Sequence, residues 1–274
     1  MTTTTRQVRR ERHPLRRRIL TVQHVEELSP AMRRIVLGGP DLESDFPFRS
    51  MAPGDHVKVF FPDPATGVLT VPHIDEHGMV PDPNGPTPIH RDYTVRAFDP
   101  AAGTLTIDFV VHRHGVAGVW ADRARPGDEL GVLGPRGSHH FPDDYPWYVL
   151  AADATAVPAL SRWIEELPAE ARGVAIVEID DADERQELVG DAGIEVRYLY
   201  RTPDGGSRLE RALRELSLPT EDYFVWAAGE AGMLKGIRRY FRTELGRPKE
   251  TVHVDGYWRR GVTDFDHHAP IEDD

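Results

Sequence analysis

Between Arg16 and about Pro142, apolar residues recur in short runs with frequent alternation. The runs are RILTVQHVEEL, MRRIVLGG, DHVKVFFP, RDYTVRAFD, GTLTIDFVVH and DELGVLGP, rich in Val, Ile, Leu and Phe and separated by turn signals such as PGD, AAG and PGDE. Six such runs predict a six-stranded antiparallel β-barrel, whose closure leaves no strand edge exposed. The segment GVAGVWADRA carries no strand pattern and predicts a short helix after His114–Gly115. A long Pro/Gly-rich loop, Val71 to Ile89, leads into RDYTVRAFD.

From Tyr145 the rhythm changes. WYVLAAD, GVAIVEID, IEVRYLY, DYFVWAAGE and TVHVDGYW read as buried strands. Between them, ATAVPALSRWIEELP, DERQELV, SRLERALRELS and AGMLKGIRRYFRTEL read as helices. This alternation predicts an α/β half built on a parallel five-stranded sheet, with helices on both faces and right-handed crossovers. Ligands of such sheets sit at the carboxyl ends of the strands. The expected division is a disordered basic tail at 1–15, a barrel at 16–143, the α/β domain at 144–262 and a polar tail at 263–274.

Composition narrows the chemistry. The 274 residues include no cysteine, which excludes disulfides, thiolate metal sites and cysteine nucleophiles. An electron carrier in this chain must therefore be an organic cofactor. The net charge of −12 and the lack of a broad basic face argue against nucleic acid as the main partner. No apolar run approaches the ~18 residues of a membrane span. The basic opening MTTTTRQVRRERHPLRRR lacks the apolar segment of a secretory signal. No HExxH, GxSxG or Walker pattern is present, and the His pairs at 139–140 and 267–268 read as turn and tail residues.

Several stretches offer chemistry. Arg91 and Tyr93 share a strand face, with Thr94 next in line. A guanidinium fork suits phosphate and a phenol ring suits stacking on a heterocycle. A solvated edge strand explains the same residues. In HRHGVAGVWADRA, small residues at Gly115, Ala117 and Gly118 precede a helix start, where backbone N–H groups attract anions. A plain strand-to-helix turn is the alternative. AADAT places Asp153 and Thr155 after the first parallel strand, with Thr155 a candidate helix N-cap. This is not the GxGxxG fingerprint. WAAGEAGM puts Gly229 and Glu230 at a second strand end, and DGYWRRG puts Tyr257, Trp258, Arg259 and Arg260 at a third. Aromatics beside paired cations suit a flat or anionic ligand, or simply pack the chain end.

In this order these pieces resemble the siderophore-interacting protein family of the ferredoxin-reductase superfamily. The resemblance covers roughly residues 16–262 and is carried by DHVKVFFP, RDYTVRAFD, FVVHRHGVAGVWADRARPGDELGVLGPRGS, LAADATAVPAL, WAAGEAGMLKGIRRY and GYWRRG. It implies that the barrel binds FAD and the α/β half binds NAD(P)H. Arg91 would meet the FAD diphosphate, Tyr93 and Thr94 the isoalloxazine and ribityl chain. His112, Gly115, Val116, Ala117, Gly118 and Trp120 would form the diphosphate loop. Asp153, Thr155, Gly229, Glu230, Tyr257 and Trp258 would face the nicotinamide nucleotide. Lys58, Arg259 and Arg260 would form a basic mouth for an anionic ferric siderophore. Three departures stand out: Gly118 takes the place of the family's loop serine; AADAT replaces GDET, so that Ala154 stands where the glutamate would be; and Asp255 precedes GYW, where a basic residue would suit an anionic substrate better.

The activity so implied is electron transfer from NAD(P)H through FAD to chelated Fe(III), releasing Fe(II), with no side chain needed as a proton shuttle. A general flavin reductase or diaphorase, or a siderophore-binding protein with little turnover, are the rival readings. A cytoplasmic monomer is expected. Asp180, Asp181 and Asp183 after the second strand favour a free ribose hydroxyl, whereas Arg201 offers a partner for a 2′-phosphate.

Overall fold

The computed structural model describes residues 6–76, 78–80, 82–112, 115–220, 222–263 and 265. The remaining positions, including His114, His267 and His268, lie outside the described residues. The chain divides into two compact units: Arg9–His140, and Phe141 onward together with residues up to Val8.

The first unit contains β1 (Arg9–Arg12), β2 (Arg17–Ser29), β3 (Met32–Gly38), β4 (His56–Phe61), β5 (His73–Asp75), β6 (Gly78–Val80), β7 (Ile89–Thr94), β8 (Ala97–Asp99), β9 (Thr104–Val110), α1 (Val116–Arg123), β10 (Glu129–Leu133) and β11 (Gly137–His140). Seven strands make a curled antiparallel sheet in the order β7-β4-β10-β2-β3-β9-β8. Alternation along the strands sends Leu20, Val22, Ile35, Leu37, Val57, Val59, Phe61, Leu105, Ile107 and Phe109 into one core. Each such burial contributes about 1.5–3 kcal/mol before conformational entropy is set against it.

The expected count of six strands becomes seven because RDYTVRAFD bends. Its first half pairs with β4 and its second half, β8, with β9. At the bend, Val95 N–H donates to the Asp55 carbonyl (2.8 Å) and Arg96 N–H to the Thr106 carbonyl (3.0 Å). One run thus serves both margins of the sheet. Two small ribbons are additional. β5 and β6 form a hairpin inside the loop expected to be irregular. β1 pairs with β11, so the tail expected to be disordered through residue 15 is a strand at Arg9–Arg12. Arg6 is tied to Asp144 (3.0 Å) and to Asp222 within the second unit.

The second unit contains β12 (Trp147–Asp153), α2 (Val157–Glu166), β13 (Arg172–Ile179), β14 (Gly193–Tyr200), α3 (Leu209–Arg214), β15 (Tyr223–Glu230), α4 (Ala231–Arg239) and β16 (Val252–Trp258). Its five strands are all parallel, in the order β14-β13-β12-β15-β16. One face packs α3 and α4 through Leu209, Leu213, Leu234 and Ile237, joined by Phe241 of the turn after α4. Trp163 of α2 packs on Tyr148, Phe224 and Trp226. The helix expected at DERQELV is absent; only a single 3-10 turn forms, at Ala182–Glu184. The chain leaves β12 toward β13 and later returns to its other side with β15. That reversal makes the carboxyl ends of β12 and β15 the topological switch point.

Candidate functional site

In the first unit, register decides which face each residue uses. Val57 stands opposite Tyr93 and Val59 opposite Arg91, so Arg91 and Tyr93 lie on the core side. Tyr93 is half-buried, its ring 4.3 Å from Phe109 and 6.2 Å from Phe61. Burial pushes its phenol pKa well above the usual tyrosine value. The Arg91 guanidinium donates to the neighbouring His90 carbonyl. Thr94 is buried and lies on the opposite face, with Lys58 and Asp92. The expected trio is therefore split across the strand. Lys58, the expected anchor of a basic mouth, donates to both carboxylate oxygens of Asp92 at 3.0 Å.

Gly115 is the N-cap of helix α1, and its φ of 90° is in the region that glycine tolerates. No side chain caps this end, and its first turn holds no acid. Its leading N–H groups are thus suited to an anion. Ala117 and Gly118 are buried, and Trp120 packs on Phe61 (5.6 Å) and Phe109 (5.8 Å). The glycine at 118 has an internal cause. A β-carbon there would lie 2.8 Å from the His112 backbone nitrogen and 2.9 Å from its carbonyl oxygen. At 115 it would lie 3.1 Å from the His112 ring. Gly118, expected to admit a phosphate, thus also makes room for the His112 main chain.

In the second unit, carboxylates stitch the strand ends together. Asp153 is fully buried. Its Oδ1 accepts from Thr155 N–H (2.9 Å) and the Thr155 hydroxyl (2.5 Å). Its Oδ2 accepts from Glu230 N–H (2.9 Å) and Trp258 Nε1–H (2.8 Å). Asp153, not Thr155, is therefore the capping residue of the turn that precedes α2. Gly229, with φ 147°, leaves room for the Asp153 carboxylate; a β-carbon there would lie 2.6 Å from its Cγ. Glu230 caps α4 by accepting from Met233 N–H (2.6 Å) and also accepts from Arg260 N–H (3.1 Å). Tyr257 and Trp258 are half-buried, while Arg259 and Arg260 are exposed. The Arg260 guanidinium donates to the Gly205 carbonyl at 2.7 Å.

Glu178 was not singled out from the sequence, although it is the one acid within the otherwise apolar run GVAIVEI. It is fully buried and accepts from the Ser207 hydroxyl (2.9 Å) and Arg208 N–H (2.6 Å). Arg201 sits among Glu178 (3.4 Å), Asp180 (3.5 Å) and Asp153 (3.6 Å). Its charge balances two buried carboxylates. Lys58 belongs to one unit, and Arg259 and Arg260 to the other. No group of three or more metal-ligating side chains occurs among the described residues.

Residues 21–139 match the model of the siderophore-interacting FAD-binding domain, and residues 145–261 match that of the siderophore-interacting protein. The chain belongs to the siderophore-interacting protein family. It is 37% identical over 261 residues to the NADPH-dependent ferric-chelate reductase of Escherichia coli, covering 94% of this chain and 99% of that protein. It is 31% identical to the ferric vibriobactin reductase ViuB of Vibrio cholerae, covering 92% of each. A solved siderophore utilization protein from T. fusca superposes with a TM-score of 0.88 at 46% identity, covering 96% of this chain and 100% of that one. The ferredoxin reductase in carbazole 1,9a-dioxygenase, at 15% identity and a TM-score of 0.63 over 90% of this chain and 70% of that one, shares the fold alone. The fold is thus ferredoxin-reductase-like: a curled antiparallel sheet followed by a parallel five-stranded one.

Proposed function

We propose that the protein is an FAD-dependent ferric-siderophore reductase that draws its electrons from NAD(P)H. The observation that carries this reading is the match of residues 21–139 to the family's FAD-binding domain, in the unit whose helix α1 opens on an uncapped glycine. The donor set there fits FAD: backbone N–H groups at Gly115–Gly118 and the Arg91 fork suit a diphosphate, and Tyr93 offers a flat ring. Bound FAD supplies the conversion between the two-electron hydride of NAD(P)H and the single-electron reduction of each of two chelated Fe(III) ions, with one proton released.

The chain's residues bind and orient. In this reading His112 lies against the α1 turn at Gly118, while Val116 and Trp120 of the helix anchor it on the core of the unit. In the other unit, Trp258 and Tyr257 offer aromatic faces to the nicotinamide nucleotide beside the turns of Thr155 and Gly229–Glu230. Arg259 and Arg260 are exposed cations suited to steering an anionic chelate. Lys58 adds less, because Asp92 balances it. Domain limits of 16–143 for FAD and 144–262 for the nucleotide suit this division of labour. No helix among the described residues is long and apolar enough to cross a membrane. We take the working form to be a monomer in the cytoplasm, where NAD(P)H is supplied.

The test is steady-state turnover with a ferric catecholate or hydroxamate chelate, with Fe(II) captured by a chromogenic chelator. Iron reduction well above the rates on free flavin and quinone supports the proposal. Preference for those acceptors makes the protein a general flavin reductase. Chelate binding without NAD(P)H oxidation makes it a carrier.

A further inference from the structure

We propose that Asp153 is a positioning residue that fixes the indole of Trp258, and makes no contact with the nucleotide itself. The inference rests on the reading of these strand ends as the nicotinamide-nucleotide site.

An ionised carboxylate offers about four lone-pair directions. Asp153 has four donors on it: two from Thr155, one from Glu230 N–H and one from Trp258 Nε1–H. Arg201, 3.6 Å from Oδ2, supplies the balancing charge. No acceptor capacity is left for a carboxamide or a ribose hydroxyl, and the side chain has no exposed surface from which to offer it.

The bond to Trp258 is long-range in the sheet. β12 and β16 are not neighbours; β15 lies between them. The side chains of Asp153 and Trp258 meet across the end of β15, where Gly229 stands. A β-carbon at 229 would come within 2.6 Å of the Asp153 carboxyl carbon. The glycine therefore opens the passage through which β12 reaches the indole. Trp258 is half-buried, so the bond fixes one edge of a ring that is still partly accessible. A ring held in one orientation loses less entropy when a flat ligand stacks on it.

The test uses Asp153→Asn, Trp258→Phe and the double variant in the full chain loaded with FAD. An asparagine amide cannot accept at both positions, so one pair of donors loses its partner. Phenylalanine keeps a ring but removes the N–H. Three quantities are read: the indole N–H resonance of Trp258 in the 15N-labelled protein, the dissociation constants of NAD+ and NADP+ by fluorescence quenching, and KM and kcat for NAD(P)H.

Asp153→Asn is expected to shift or broaden the Trp258 indole resonance. It is also expected to weaken nucleotide binding and raise KM by about tenfold, with kcat and bound FAD near wild type. Trp258→Phe is expected to act alike, and the double variant to be no worse than the worse single one, as residues acting through one bond are not additive. The proposal is overturned if the resonance is unmoved in Asp153→Asn, or if the two single effects multiply. Should Asp153→Asn fail to fold, Trp258→Phe stands in: an unchanged nucleotide affinity there overturns the proposal equally. Absence of nucleotide binding by the wild-type protein would instead sink the underlying functional reading and this inference with it.

Discussion

Lys58 on β4 and Asp92 on β7 stand directly opposite each other, and the ammonium donates to both carboxylate oxygens at 3.0 Å. Cross-strand pairing of opposite charges stabilises a sheet by roughly 0.2–1 kcal/mol. Here it also offsets the one lysine charge that the proposed basic mouth would draw from this unit. Asp92→Asn should lower KM for a highly anionic ferric chelate by about two- to fivefold at low salt, and the gain should vanish at high salt. Lys58→Ala should move KM the other way. Steady-state kinetics at two ionic strengths check both. An unchanged KM in both variants would remove Lys58 from substrate recognition.

Position 118 sets helix propensity against space. Gly118→Ala gains about 1 kcal/mol of propensity within α1. The added carbon would meet the His112 main chain at 2.8 and 2.9 Å, and backbone yields poorly. Overpacking costs typically about 1–3 kcal/mol, so the clash should win or cancel the gain. The variant should purify with less FAD, read as a fall in visible absorbance relative to that at 280 nm. Full flavin occupancy would show that the α1 turn relaxes freely.

Arg201 shares space with two fully buried carboxylates and one exposed one. Arg201→Leu leaves Asp153 and Glu178 without their counter-charge. Breaking such a pair from one side costs about 3–5 kcal/mol. The melting transition of this unit should fall by about 10 °C. Arg201→Lys should lose less, because a cation remains. Equal melting of Arg201→Leu and wild type would mean that the backbone donors alone hold these carboxylates.

The ribbon of β1 and β11 carries an acid-sensitive tie. Hydrogen bonds from Arg49, then His140, lower the Glu11 carboxyl to about 2, from an ordinary 4.5. A depressed acid contributes stability above its unfolded pKa and loses it as pH falls toward the folded value. The ribbon should therefore loosen between about pH 4.5 and 2. Amide exchange at Arg10–Arg12, measured relative to the intrinsic rate at each pH, should quicken across that window in the wild type. In Glu11→Gln it should already be fast at pH 5. A flat exchange profile in the wild type would refute the tie.

The strands of both sheets were legible because alternation and short apolar runs report burial directly. The helix α2 was legible for the same reason, through Val157, Leu160 and Ile164. What was missed depends on distant partners. RRER at 9–12 has no apolar alternation; it is a strand because residues 137–140 lie beside it. The bend at Val95–Arg96 needs Asp55 and Thr106 as acceptors, which no local pattern announces. DERQELV has helical spacing, yet Tyr198 instead accepts from and donates to the Gln186 backbone, holding that segment extended. In the candidate sites, residue types were readable but their duties were not. Asp153, Gly229 and Glu230 are readable as strand-end residues suited to a ligand, but not the internal partners that each of them also serves. Their convergence depends on parallel strands ending side by side, which is a property of the sheet.

The most direct measurement is an anaerobic spectral titration of the purified protein. The account predicts a yellow protein with flavin absorbance near 450 nm, bleached by stoichiometric NAD(P)H and restored by about two equivalents of a ferric siderophore, with Fe(II) appearing in step. A colourless protein that takes up no FAD, or bound flavin that NAD(P)H leaves oxidised, would contradict it.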